Sequence, residues 1–107
     1  MANSIMGKLS TALQKFDTIL DLVAESYGVT AGELTSTFKY RPLPAARQLI
    51  TYALSKYGLK NGEISILTGH SPGRVNYDLK AANKLLNEIP YFATMAKAII
   101  RVLNEGQ

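Results

Sequence analysis

The spacing of the apolar residues constrains this chain more than any other feature. They recur at steps of three and four, the period of a helix with one buried side, and nothing in the pattern calls for a strand. Leu9, Leu13, Phe16, Ile19, Leu20, Val23, Ala24 and Tyr27 predict one long amphipathic helix that stops at Gly28. Its opposite side carries Asp17, Asp21 and Glu25. Carboxylates four residues apart on such a face solubilise a helix rather than bind metal or move protons.

Local chemistry then divides the rest. Thr30 with Glu33 forms a capping box and predicts a short helix from Ala31 to about Ser36. In the following "TFKYRPLP" two prolines forbid helix and bias their neighbours to extended backbone. Pro44 suits the first position of a helix with Ala46, Leu49, Ile50, Ala53, Leu54 and Tyr57 on its inner face, ending at Gly58. Asn61 is expected to cap a short helix through Leu67. Ser71 caps the next, with Pro72 at its first position and Val75, Leu79, Ala82, Leu86 and Ile89 along its apolar side. Pro90 separates a last helix, about 91–104, whose Phe92, Met95, Ile99, Val102 and Leu103 are assigned to the core rather than to a dimer face. The expectation is an all-α fold: a single domain over 1–107, a compact five- to six-helix bundle.

The bulk numbers agree. A chain of 107 residues with 47% apolar content suffices for one core. Cysteine is absent, which rules out disulfides and thiolate zinc sites and fits a reducing compartment. No run approaches the ~18 apolar residues of a membrane span, and "MANSIMGKLS" lacks a secretory apolar core, so a cytoplasmic protein is expected. That start also suits a complete small protein. The net charge of +4 is unevenly spread. Residues 38–84 hold eight cations against Glu63 and Asp78, a net +6, which leaves −2 for the two ends. A basic middle between acidic flanks suits a polyanion partner.

The segment from Glu63 to Tyr77 has the grammar of a helix-turn-helix. Ile64 and Val75 are spaced to meet between two helices, Ser65 permits a close crossing, and Gly69 supplies the turn. At 100° per residue the apolar side of the second helix lies opposite Gly73, Tyr77, Lys80 and Lys84, with Arg74 and Asn76 on the flanks. An open backbone, then hydrogen-bonding side chains, then cations suits a helix that enters the major groove by its N-terminal end and follows phosphate with its body. Arg74 could pair with guanine and Asn76 with adenine. Two residues depart from the pattern. His70 replaces a customary apolar turn residue, and Asp78 stands at a core position that Leu79 is expected to fill instead.

The stretch "YGVTAGELTSTFKYRPLPAARQLITYAL" resembles the C-terminal DNA-binding domain of the bacterial replication initiator family DnaA. The likeness rests on Tyr27, Glu33-Leu34, the basic loop from Lys39 to Arg41, the Ala46-Arg47-Gln48 motif and Tyr52, in family order. It covers about residues 12–90 and leaves an extra helix at the C-terminal end. The resemblance implies a fold of the tryptophan-repressor and DnaA-domain kind, double-stranded DNA as partner, and other replication proteins as further partners. It implies that Arg41 enters the minor groove, that Lys39 supports it, and that Arg47 lies against the DNA backbone. The family's Asp-His-Thr-Thr before a valine is replaced here by Ser71, Pro72, Gly73 and Arg74, so recognition of the same target box is not carried over.

Other chemistries fit less well. His70 and Ser71 are adjacent at a helix cap and point apart, which defeats a nucleophilic pair. A phosphate loop of the G-x-x-x-x-G-K-[ST] kind is absent, and a lone histidine cannot build a metal site. No enzyme activity, cofactor or metal is expected. His70 reads equally as a turn residue or a phosphate donor, and amides around Gly73 can hold a phosphate. The expectation is a DNA-binding module, monomeric or weakly dimeric, associated with the nucleoid. Its alternatives are a transcription regulator at its own operator and a protein-interaction module that has lost DNA binding.

Overall fold

In a computed structural model the described residues, 4–105, form six α-helices and no strand. They are α1 (Ser4–Tyr27), α2 (Ala31–Thr35), α3 (Leu43–Tyr57), α4 (Asn61–Thr68), α5 (Pro72–Glu88) and α6 (Pro90–Asn104). The Met-Ala-Asn that opens the stretch read for a leader lies outside the described residues. No helix among them is long and apolar enough to cross a membrane.

α3 is the hub. It packs against every other helix, and Leu49, Ala53 and Leu54 are wholly buried on it. α1 contributes Ala12, Ile19 and Val23, and α6 contributes Phe92, Ile99 and Leu103. The last helix therefore buries its apolar face against its own chain. The Cα radius of gyration is 13.0 Å, against about 13 Å expected for a folded chain of this length.

The helix ends follow the capping residues. Thr30 Oγ1 accepts from Glu33 N–H at 3.0 Å while Glu33 Oε1 accepts from Thr30 N–H at 2.9 Å, the reciprocal pair that starts α2. Ser71 Oγ accepts from Arg74 N–H at 3.2 Å and Pro72 takes the first position of α5. Gly69 ends α4 in the left-handed region at φ 78°, a conformation that side chains resist. α1 also holds two helix ends of its neighbours. Lys8 Nζ donates to Tyr57 O at 2.9 Å, and Lys15 Nζ donates to Val102 O at 2.7 Å. Both are cations at helix C-termini, where the aligned peptide dipoles favour positive charge.

Several expectations are corrected. Leu13 is 64% exposed and Ala12, one residue earlier, is buried in its place. Asn61 is the first residue of α4 rather than its cap. Glu63 Oε1 accepts from Lys60 N–H at 2.8 Å and does the capping instead. Pro44 is the second residue of α3, after Leu43. Ile89 is exposed, because it forms the joint between α5 and α6. Asp78, and not Leu79, occupies the core position on α5.

Candidate nucleic-acid interface

The loop between α2 and α3 is shaped by Arg47. This residue lies on the first turns of α3, where the loop folds back over it, and is only 5% exposed. Its Nε donates to Leu34 O at 2.9 Å, Nη2 donates to Glu33 O and Ser36 O, each at 2.9 Å, and Nη1 donates to Phe38 O. A planar fork with five donors can gather several carbonyls in this way, and a lysine cannot. Burial, and next the nearby Arg74 cation, hold the Arg47 guanidinium below its ordinary pKa. Arg47 is therefore a structural strut of the loop. Four of its five N–H donors are committed to its own chain, while its side chain also borders the groove described next.

With its carbonyls so engaged, the loop turns Lys39 and Arg41 outward, and both are exposed. Lys39 joins Pro44, Arg47, Gln48, Arg74 and Tyr77 around a surface groove of about 270 Å³. The loop and the start of α5 thus border one hollow. On α5, Gly73, Asn76, Tyr77, Lys80 and Lys84 are exposed, Tyr77 to 62%. Tyr77, Lys80 and Lys84 stand three and four residues apart and share a face. Tyr77, at the groove, thus stands on the same exposed face of α5 as Lys80 and Lys84.

Below that face lies a polar cluster that the sequence reading treated as a flaw. Asp78 is fully buried. Its Oδ1 accepts from Arg74 Nε at 3.1 Å, and its Oδ2 stands 3.6 Å from His70 Nδ1. His70 is drawn further inward because its carbonyl accepts from the Ser65 hydroxyl. His70 thus serves the turn through its backbone and turns one ring nitrogen to Asp78. Arg74 is half-exposed, with one edge tied to Asp78, so it reaches the groove as a fixed group rather than a free arm.

Two aromatic residues were missed from the sequence. Phe38 and Tyr40 are each about half exposed and stack on each other, with ring centroids 5.5 Å apart and planes at 29°. Tyr40 is anchored because its hydroxyl donates to Glu33 Oε2. That bond is the first cause lowering the Glu33 carboxyl pKa and raising that of the Tyr40 phenol. The alternation Phe38-Lys39-Tyr40-Arg41 was a visible signal of aromatic and cationic groups on one loop.

Taken together, fold and site define an all-α domain with a cation-lined groove between a loop and an exposed helix face. Among the described residues no group of histidine and carboxylate side chains could hold a metal ion. Comparisons with family models, curated proteins and solved structures gave no match.

Proposed function

We propose that the chain is a non-enzymatic module that binds double-stranded DNA. In this reading α4, the Gly69 turn and α5 act as a helix-turn-helix. The outer side of α5 enters the major groove, with Asn76 and the free edge of Arg74 at base edges and Lys80 and Lys84 on phosphate. Lys39 and Arg41 reach the backbone and the adjoining minor groove. The observation that carries the proposal is the groove shared by Lys39, Arg74 and Tyr77, because one duplex can touch loop and helix together. The resemblance to the DnaA domain points to replication initiation or its control, in the cytoplasm at the nucleoid. Ser71-Pro72-Gly73-Arg74 at the helix entrance points to a different target sequence.

Fluorescence anisotropy with labelled duplexes at rising salt tests it. Engagement of phosphate by Lys39, Arg41, Lys80 and Lys84 gives log affinity a slope of roughly −3 to −4 against log salt. A flat response refutes the proposal. A protein-interaction module is the second reading, favoured by the exposed Phe38–Tyr40 stack. Replacing Arg41 and Lys80 with alanine discriminates, since only the DNA reading requires duplex binding to fall while the fold persists.

A further inference from the structure

We propose that the chain also binds a small amphiphilic anion, an apolar body with a phosphate or carboxylate head, in a two-part cavity between α1, the α2–α3 loop, α3 and the Gly69 turn. The apolar part is a cleft of about 280 Å³ with Phe16, Leu20, Leu34 and Ile50 among its walls. Thr51 also lines it; the residue is fully buried and its hydroxyl has no hydrogen-bond partner among the described residues.

The second part is a niche of about 140 Å³ bordered by Ser36, Thr37, Lys39, Arg47, His70 and Arg74. Ser36, Thr37, Arg47 and His70 border both parts, so the cleft and the niche adjoin along these four residues. Around the niche stand three cations, and among the described residues the carboxylate paired with them is Asp78. Lys39, Arg47 and Arg74 against Asp78 leave a surplus of two positive charges. Arg47 and Arg74 are close enough to oppose each other's charge. An anionic head relieves that repulsion and finds the Thr37 hydroxyl beside it, while the Ser36 hydroxyl donates to Glu33 O.

The apolar cleft selects the class of occupant. A DNA phosphate could enter the niche from outside, but it has no apolar body to fill the space between Phe16 and Ile50. A small molecule fills both parts. A bound head would also occupy Lys39 and Arg74, which the proposed DNA surface uses, so the ligand would weaken duplex binding. That last consequence rests on the DNA reading, whereas the cavity itself does not.

The probe is phenyl phosphate, compared with inorganic phosphate and with benzyl alcohol, in a 1H–15N titration of the full chain. Phenyl phosphate is expected to shift the amides of residues 34–39 and 68–70. Its affinity is expected to exceed that of either partial probe by about tenfold, the gain from burying one ring. Lys39→Ala, at an exposed position, is expected to weaken it about fivefold while the spectrum stays folded. Equal affinity for phosphate and phenyl phosphate overturns the proposal. So does an absence of binding, shifts confined to other regions, or an unchanged Lys39→Ala. A chain that binds phenyl phosphate but no duplex refutes the DNA reading and leaves the cavity standing.

Discussion

Arg74 Nε donates to Asp78 Oδ1 at 3.1 Å, one turn further along α5, and the carboxylate it meets has no solvent exposure. The pair is unequal, because Arg74 is partly open to water and Asp78 is not. Removing the partner of a buried charge costs more than removing the charge. Arg74→Ala is expected to destabilise the fold by about 3 kcal/mol, and Asp78→Asn by clearly less. Urea denaturation of both variants checks the order. If Asp78→Asn is the worse of the two, the carboxylate is not being held by Arg74.

Arg47 should behave as a residue of the fold. Arg47→Lys keeps the charge but loses the fork that gathers four carbonyls, and is expected to cost about 2 kcal/mol, with Arg47→Ala costing more. Any loss of duplex affinity should follow the unfolded fraction in denaturation curves. Weakened DNA binding at unchanged stability would return Arg47 to the interface.

Glu33 sets an acid limit on the loop. Its folded pKa lies below the ordinary 4.5, first because the Tyr40 hydroxyl donates to it. A depressed carboxylate contributes stability that is complete above its unfolded pKa and lost as pH falls through the folded one. The wild-type chain should therefore weaken as pH drops below about 4.5. Glu33→Gln should flatten that part of the profile, read by thermal melts across pH. Tyr40→Phe should flatten it in part.

Lys84 tests the course of DNA along α5. If it meets only phosphate, Lys84→Ala reduces the salt slope by about 0.9 and weakens all duplexes alike. Asn76→Ala should instead relax sequence preference, at a cost of roughly 1–3 kcal/mol for the preferred site. Competition titrations with specific and scrambled duplexes separate the two outcomes.

The helices were legible because their signals are local. Thr30 with Glu33, Ser71 with Pro72, and glycine after Tyr27, Tyr57 and Thr68 act within a few residues, and each marks a helix end in the structure. The exposed face of α5 was legible for the same reason, since a helix fixes which residues share a side. What sequence could not rank was one cation against another. Lys39, Arg41 and Arg47 look equivalent as letters, yet only the folded loop surrounds the third with carbonyls. Asp78 was misjudged because its burial depends on His70 from the turn and Arg74 from its own helix arriving together. Ala12 took the inner place expected of Leu13 for a related reason, as the facing surface and not side-chain size chose the buried residue.

The two lysines that α1 sends to Tyr57 and Val102 make the first helix a clasp across the molecule. Any partner that peeled its N-terminal half away would unlatch the far ends of α3 and α6 in one movement. The groove side, built from the opposite end of α3, would feel the release through the hub alone. The hold on both helix ends is thereby made to depend on a pair of lysine amines.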